Sequence, residues 1–308
     1  MSTRTQLDRE RVLRTLTFWL RPAFVLRTLN RFQRIAGFDR AVALASSALT
    51  ALIPLAILAG AILPAGGDKD AAERIIDRYE LTGGGAEAVR DAFSPAAGTE
   101  TELTVAGVLL LFVAVLSFTR AVQRLFEQTW ELKPLSVRNS VNGLLWIAGL
   151  TAYMTASGWI HGAVDLSRLQ IGANIVLIPV SIAFLVWSGW ILTAKRLTRR
   201  GLLPFGVVGA VLLAVYSTGA AVYVPHLFES YATRYGVIGA VFAMISALFC
   251  VMVVIVGAAS VGREVEGELD RIRRGERPAE DEVRRQWDEI TADARTRWQT
   301  VRAKRRAR

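Results

Sequence analysis

Long apolar stretches alternate with short charged ones along this chain, a pattern that predicts helices crossing a lipid bilayer. A helix needs roughly 20 apolar residues to span the hydrocarbon core. Six stretches approach that length and are nearly free of charge: residues 41–63, 104–119, 141–164, 173–193, 202–225 and 237–261. The pattern therefore predicts an all-α protein, a polytopic transmembrane bundle of six helices.

The second stretch is the shortest, and arginines begin where its apolar residues end. We expect this helix to continue through Arg120 and Arg124, because long cationic side chains can extend along a helix toward the membrane surface. The end of the second span is therefore the most polar part of the predicted bundle.

Lysine and arginine fall in alternate connecting segments. They are concentrated in the N-terminal segment, in the loops after the second and fourth spans, and in the C-terminal tail. The other three loops hold few of them, and the loop at residues 64–103 is acidic overall. Because loops rich in Lys and Arg stay on the cytoplasmic side, both termini are predicted to be cytoplasmic.

Residues 1–40 are predicted to form a cytoplasmic or interfacial amphipathic segment. Its apolar residues Val12, Leu16 and Trp19 recur at helical spacing among arginines, which is typical of a helix lying in the membrane interface. Packing of such a helix against the cytoplasmic ends of the spans fits the same pattern. Both interpretations stay open at this stage, and they are compatible.

Residues 41–261 make up the six-span membrane domain, and residues 64–103 within it are too long for a simple turn. The spacing of apolar residues there predicts two short helices that form an extracytoplasmic cap. Residues 262–308 are predicted to be a charged cytoplasmic helical tail. Its second helix would carry Trp287 and Trp298, and its basic end is interpreted as a membrane-surface or solvated segment.

The chain has 308 residues and a formal net charge of +10, which on its own would suggest a nucleic-acid partner. The positions of the charges favour another partner, because basic residues at the ends of apolar spans attract anionic lipid headgroups. Membrane lipids are therefore the expected partners, and nucleic acid is not. Cys250 is the only cysteine, which excludes an internal disulfide. The sequence does not determine the oligomeric state.

Catalytic chemistry is not visible in the sequence. The two histidines, His161 and His226, are predicted to lie near the extracytoplasmic ends of different spans, where interfacial roles are more typical than metal binding. A metal site needs several convergent ligands, and neither a phosphate-binding glycine loop nor a Ser-His-acid set can be identified. We therefore predict no catalytic residues, no metal and no cofactor, and the protein is not expected to be an enzyme.

Polar residues at membrane depth are the best candidates for a binding site. Arg120, Gln123, Arg124 and Glu127 follow helical spacing at the end of the second span, and such groups must face protein, water or headgroups. One interpretation is a cytoplasm-facing polar pocket whose arginines bind an anionic group such as phosphate. The other is an ordinary basic helix end with a surface pair between Arg124 and Glu127.

Four further candidates lie in the first and third spans: Ser46, Thr50, Pro54 and Asn142. A proline inside a span kinks the helix or frees a carbonyl, which is tolerated where neighbours compensate. Small and hydroxyl residues also let helices pack closely. These residues therefore fit either ordinary helix packing or a polar cavity between spans.

Several motifs resemble those of the YihY/virulence factor BrkB family. They are the Arg-Ala-Val-Ala-Leu-Ala run at residues 40–45 with the Ile-Pro at 53–54, the polar run at 118–126 with Trp130, the Tyr-Gly-Val-Ile-Gly-Ala run at 235–240, and the Gly-Arg-Glu at 262–264. The resemblance covers about residues 32–266. It implies a multi-pass protein of the bacterial plasma (inner) membrane whose substrate is not settled.

The resemblance, together with the Arg120 and Arg124 face of the second span, leads to two functional expectations. The first is a transporter or binder of an amphipathic or anionic envelope component, and the alternative is a non-transporting membrane scaffold or envelope-integrity factor. The family also carries an older label as a ribonuclease BN-like protein. A hydrolytic nuclease needs metal-binding carboxylates or histidines on the cytoplasmic side, whereas the predicted topology places both histidines on the other side.

Overall fold

The computed structural model describes residues 22–62, 105–135, 140–164 and 171–274, together with residues 73, 76, 83, 86, 87 and 90. These residues form seven α-helices and no strand, which confirms the all-helical prediction for the described part of the chain. The helices are α1 (Pro22–Arg34), α2 (Gly37–Ile62), α3 (Val105–Thr129), α4 (Ser140–Val164), α5 (Ile171–Leu192), α6 (Arg199–Gly236) and α7 (Ile238–Arg274).

Three helices are long and apolar enough to cross a membrane by length and composition: Gly172–Leu192, Arg199–Gly236 and Ile238–Arg274. They contain the fourth, fifth and sixth predicted spans. The first three predicted spans fall on α2, α3 and α4, but the count of six membrane crossings and their orientation stay predictions. With 38 residues, α6 is about 57 Å long, so it extends beyond a hydrocarbon core of about 30 Å.

Large apolar side chains cover the outside of this bundle. Val113, Met154, Val215 and Ile238 all have more than half of their surface exposed. Monomeric soluble proteins rarely expose contiguous apolar surface on this scale, whereas a lipid-facing helix needs it. The apolar residues that predicted the helices therefore lie partly on the outer surface, as in a membrane protein.

Helix α7 lies at the centre of the described bundle. On one side, its Met252 and Val256 pack against Leu44 of α2 and Leu125 of α3. On the other side, Ala258 and Ala259 contribute to a core with residues of α3, α4, α5 and α6. Aromatic rings strengthen this second core, since the Phe126 and Phe205 ring centroids are 5.3 Å apart in an edge-to-face arrangement.

The starts of α2 and α6, the ends of α3 and α5, and the second half of α7 meet at one end of the bundle. We call this the arginine-rich end. The contacts that define it include the Arg40–Gln128 and Arg196–Glu127 pairs. Trp190, near the end of α5, has the guanidinium carbon of Arg199 at 4.2 Å and the Lys195 nitrogen at 5.0 Å from its ring centroid. Aromatic rings with cations beside them are typical of a membrane–water interface.

Glycine permits the reversal of the chain between α6 and α7 and a close approach of the two helices. The chain reverses at Gly236, whose φ of 57° lies in the left-handed region that favours glycine. Closer to the arginine-rich end, a methyl group added at Gly262 would come within 2.7 Å of the Phe205 backbone nitrogen. A separation this short is not found between real side chains and backbone, so Gly262 sets the distance between the helices.

Helix α1 is packed with its polar side inward. Phe24, Arg27 and Asn30 are buried, whereas Val25 is 61% exposed and Leu29 is 45% exposed on the opposite side of the helix. This placement agrees with packing against the other helices at the arginine-rich end. It also leaves an apolar strip on the outside, so the interfacial interpretation remains a prediction. The apolar residues predicted to start this segment, at 12–20, lie outside the described residues.

Most of the predicted cap at residues 64–103 lies outside the described residues. Two of its members that are described, Ile76 and Ala86, are buried in a cluster with Phe228 of α6 and Ala240 of α7. Arg90 and Glu73 form an ion pair at 2.8 Å. The tail beyond residue 274, including Trp287 and Trp298, is also outside the described part.

Candidate functional site

The four candidates at the end of α3 differ in how deeply they are buried. At about 100° per residue, Arg120, Gln123, Arg124 and Glu127 project from the same broad side of the helix. Gln123 is 9% exposed and Glu127 is 3% exposed, while both arginines are exposed. Other parts of the protein thus cover Gln123 and Glu127 but leave Arg120 and Arg124 exposed.

Glu127 is covered by the segment that follows α3 and by a residue far away in sequence. Its Oε1 atom accepts hydrogen bonds from the Gln123 side chain at 2.9 Å, from the Leu135 backbone N–H at 2.8 Å and, at a longer 3.4 Å, from Arg196. Arg196 also donates to the Lys133 carbonyl at 2.6 Å. Through these hydrogen bonds, the Glu127 carboxylate links the loop after α3 to the turn between α5 and α6.

The ion pair of Glu127 is consequently with Arg196, not with Arg124. Helical spacing alone suggested Arg124 as the partner, because residues three apart are neighbours on a helix. Arg196 lies in the basic loop after α5. In the sequence, this loop indicated only which side of the membrane it faces. Its role at Glu127 depends on the packing of α5 beside α3.

Arg40, at the start of α2, joins the exposed arginines of α3. Its guanidinium donates to the side-chain oxygen of Gln128. Burial, and in second place the positive charge of Arg124, lower the pKa of Arg40 from its ordinary value. Arg40 was part of the positive-inside pattern, but only the packing of α2 against α3 brings it near Arg124.

Arg120 and Arg124 have no hydrogen-bond or ion-pair partner among the residues that the structure describes. Beyond them, the same side of α3 continues with the exposed apolar residues Leu109, Phe112 and Val113. We call this surface the α2–α3 face and define it by Arg40, Arg120, Arg124 and these three apolar residues. This face combines a cationic patch with an apolar strip. Such a surface is complementary to an amphipathic ligand with an anionic group.

The two hydroxyl candidates of α2 do not join this patch through any contact described. Ser46 and Thr50 are exposed on α2, where the Thr50 hydroxyl donates to the Ser46 carbonyl at 2.9 Å. Asn142 is half-buried near the start of α4. Pro54 falls in the last part of α2, and its side chain lies outside the described residues. An exposed hydroxyl bonded to its own helix, as at Thr50, fits an outward-facing position better than a central cavity.

A second charged group lies between α1 and α7, and sequence reasoning missed it. Arg27 pairs with Glu268 and lies 3.6 Å from Glu264. Arg31 pairs with Glu264 and donates to the Thr129 carbonyl at 3.0 Å. The glutamates were assigned to a solvated tail because they follow the last apolar stretch. Their spacing of four residues, matched by Arg27 and Arg31, was the available signal.

These ion pairs border a cleft of about 140 Å³. We call it the α1–α7 cleft. Its lining residues are Arg27, Asn30, Arg31, Arg34, Glu264 and Arg271.

Beside the cleft, Glu266 connects α7 to the end of α3. It accepts a hydrogen bond from the Trp130 indole nitrogen at 2.9 Å and lies 3.3 Å from Arg263. Three glutamates at alternate positions of α7 therefore hold α1 and α3 in place at the arginine-rich end.

The opposite end of the bundle contains a chain of hydrogen-bonded polar side chains. His161 Nδ1 lies 2.8 Å from the Ser157 carbonyl oxygen, and its Nε2 lies 3.2 Å from the Asn174 side-chain oxygen. Asn174 donates in turn to Thr218 at 3.0 Å. This chain links α4, α5 and α6, so His161 is a buried packing residue here, whereas His226 is exposed. In the searched part of the chain, no three His, Cys, Asp or Glu residues group as metal ligands.

Comparison with protein families gives a match over most of the chain. A protein-family model described as Virulence factor BrkB matches residues 28–283, which is most of the chain and includes all seven described helices except the start of α1. No curated protein and no solved structure matches significantly.

Proposed function

The chain belongs to the BrkB virulence factor family, and from that premise we propose that it binds or moves an amphipathic, anionic component of the bacterial cell envelope. The proposal includes six spans in the inner membrane with both ends cytoplasmic. Its partners are membrane lipids with anionic headgroups, and it needs no cofactor, no nucleic acid and no catalytic step.

The observation that supports this proposal is the composition of the α2–α3 face. Arg120 and Arg124 are exposed without a described partner, and Arg40 lies close enough to Arg124 to be affected by its charge. Positive charges that are held close together repel each other, and an anion bound between them relieves this repulsion. Guanidinium groups bind phosphate in a bidentate manner, so a phosphate-bearing headgroup suits this patch.

The depth of the arginines along α3 also supports a lipid-like ligand. Arg120 lies about 22 Å and Arg124 about 28 Å along the helix axis from Val105, at 1.5 Å per residue. If Val105 lies at one boundary of a hydrocarbon core of about 30 Å, Arg124 would lie near the other boundary and Arg120 one turn inside it, from where its long side chain can extend to the headgroups. The exposed Leu109, Phe112 and Val113 would then lie beside the acyl chains.

The test compares lipid retention by the full chain in detergent, measured by native mass spectrometry after addition of phosphatidylglycerol or phosphatidylcholine. We expect the double variant Arg120→Gln/Arg124→Gln to retain at least fivefold less phosphatidylglycerol than the parent protein. The matched control is Arg200→Gln/Arg273→Gln, which removes two exposed arginines elsewhere at the same end. Equal retention by the parent and the α3 double variant would overturn the proposal.

The alternative function is a scaffold or envelope-integrity factor that moves nothing. The close packing of α6 on α7 at Gly262 favours it, because such helices resist the rearrangements that transport requires. The two functions can be distinguished in a strain that lacks the protein and is complemented with the Arg120→Gln/Arg124→Gln variant. Restored resistance to detergent stress despite lost lipid retention would favour the scaffold.

A further inference from the structure

The α2–α3 face carries more positive charge than a lipid with a single negative charge can balance. We propose that this face prefers lipids whose headgroup ends in a phosphomonoester, which is a dianion, over lipids with a monoanionic phosphodiester. This preference rests on the proposed function, because it names the class of ligand that the same surface takes.

The three arginines of the face keep their charge uncompensated. Arg120 and Arg124 have no ion pair within the described part of the chain. Arg40 donates only to uncharged groups, from its Nε to the Ile35 carbonyl at 3.3 Å and from its Nη2 to the Gln128 side-chain oxygen. Three positive charges therefore remain on this surface when no ligand is bound.

Three carboxylates lie close to these arginines along the chain, and two of them are paired elsewhere. Glu127 pairs with Arg196, and Glu131 pairs with Arg31. Asp39, at the start of α2, is exposed and has no ion pair among the described residues. Counting Asp39 against the three arginines still leaves two positive charges in excess.

A phosphomonoester suits this excess better than a phosphodiester does. The monoester carries about −1.5 to −2 charges at pH 7 and has three acceptor oxygens, whereas a diester has no second ionisable oxygen and stays a monoanion. Electrostatic attraction grows with the charge of the ligand. Three oxygens also allow more than one guanidinium group to bind the same phosphate.

Gln128 holds Arg40 beside the arginines of α3. Arg120, Arg124 and Gln128 are spaced four residues apart, so they project from the same broad side of the helix at intervals of about 6 Å along its axis. The bond from Arg40 to Gln128 therefore places its guanidinium about one turn from Arg124. The lowered pKa of Arg40, caused first by burial and then by the charge of Arg124, agrees with this position.

Part of the face is fixed before any ligand arrives. Arg40 is half-buried and is held by its two neutral acceptors. A side chain held in place loses little entropy on binding, which favours affinity. Ser117, exposed three residues before Arg120, adds a hydroxyl that can donate to a phosphate oxygen.

The apolar strip favours a lipid over a dissolved phosphomonoester. Val113 lies seven residues before Arg120, or about 10 Å along the helix, and Leu109 and Phe112 continue the exposed strip. Acyl chains attached to a headgroup at the arginines can cover this strip and remove apolar surface from water. A water-soluble phosphomonoester cannot make that contact.

The experiment offers the full chain in detergent equal amounts of phosphatidic acid and phosphatidylglycerol with the same acyl chains. Native mass spectrometry measures the ratio of the two lipids retained, at pH 7 and at a pH of about 5, below the second pKa of a phosphomonoester of about 6. A further arm adds glycerol phosphate as a soluble competitor. The variants are Arg40→Gln and Arg40→Lys, and Arg200→Gln removes an exposed arginine elsewhere at the same end as the control.

We expect the parent protein to retain phosphatidic acid at least fivefold over phosphatidylglycerol at pH 7. The ratio should fall close to one at the lower pH, where both headgroups are monoanions. Arg40→Gln should lower the ratio at pH 7 at least threefold, Arg40→Lys should keep most of it because it keeps the charge, and Arg200→Gln should leave it unchanged. Glycerol phosphate at the concentration of the lipid should displace neither lipid.

Equal retention of the two lipids by the parent protein at pH 7 would overturn this preference. The proposed function would still stand if Arg120→Gln/Arg124→Gln lost both lipids, and it would fail if that variant lost neither. A preference that persists at the lower pH would also overturn the assignment of a dianion, and this arm needs no substitution. Displacement by glycerol phosphate would identify a dissolved ligand and overturn the choice of a lipid.

Discussion

A single carboxylate oxygen of Glu127 accepts hydrogen bonds from the Gln123 side chain of α3, from the backbone N–H of Leu135 and from Arg196. Desolvating a carboxylate is costly, and hydrogen bonds to its charged form offset that cost. Glu127 therefore stabilises the arginine-rich end only as long as its donors stay in place. The same dependence makes it a sensitive position for mutation.

We predict that Glu127→Ala lowers the free energy of unfolding by about 2 kcal/mol, since it leaves a buried amide and backbone N–H without an acceptor. Chemical unfolding in detergent micelles, followed by circular dichroism, measures the loss. Glu229→Ala, at an exposed position of α6, is the control and should change stability by less than about 0.5 kcal/mol. Similar losses in both variants would contradict the assigned role of Glu127.

At the scale of helices, glycines on α7 have different roles that the sequence does not distinguish. Gly262 lies against the Phe205 backbone, whereas Gly257, five residues earlier, has no atom within 4 Å of the position of a Cβ. Both are in helical conformation. Only the neighbouring helix decides which of them is required.

We predict opposite effects for two alanine substitutions on α7. Gly262→Ala should destabilise the protein by about 1–3 kcal/mol, because the added methyl group forces α6 and α7 apart. Gly257→Ala should stabilise it by about 0.5–1 kcal/mol through higher helix propensity. Thermal unfolding of the two variants side by side is sufficient, and a stable Gly262→Ala protein would refute the close approach.

Helix α1 exposes apolar side chains and buries arginine, the reverse of a helix on a soluble protein. This arrangement is favourable if Val25 and Leu29 contact lipid while Arg27 and Arg31 bind the glutamates of α7. The ion pairs and the lipid contact would then hold the helix from two sides.

We predict that a nitroxide label at Leu29→Cys is accessible to oxygen, which concentrates in lipid, and that one at Arg34→Cys is accessible to a water-soluble nickel complex. Both substitutions are made in a Cys250→Ser background, since Cys250 is the only native cysteine. Power-saturation electron paramagnetic resonance in liposomes measures both accessibilities. Preferential nickel access at both sites would place α1 in water and contradict the interfacial position.

For the whole molecule, the arginine-rich end collects charge from segments that are distant in sequence. Residues 27–40, 120–135, 195–200 and 263–274 meet there, and positive residues of this kind stay on the cytoplasmic side of a membrane. The reversal at Gly236 would then lie on the other side.

We predict that an impermeant maleimide labels Thr233→Cys in intact cells and labels Arg200→Cys only after the membrane is opened. Both positions are exposed, and both variants carry Cys250→Ser. Labelling is quantified by the mass shift of the purified protein. Labelling of Arg200→Cys in intact cells would reverse the topology.

Hydropathy and charge spacing were enough to predict much of the fold. The apolar stretches predicted where α2 to α7 lie, because burying backbone polar groups in an apolar setting requires helices. The motifs around Arg40, Trp130 and Gly262 predicted the family, which the match over residues 28–283 confirms. The polar end of α3 was also visible, as an apolar stretch that ended early.

The tertiary structure alone decided which of these polar residues are covered. Arg124 and Glu127 project from the same side of α3, yet the loop after the helix and Arg196 cover only Glu127. Likewise, Arg27 and Glu268 are ordinary surface residues by sequence and become a buried pair only where α1 crosses α7. Sequence periodicity describes the sides of one helix, but burial and ion pairing depend on which other segments pack there, and those segments lie tens to hundreds of residues away.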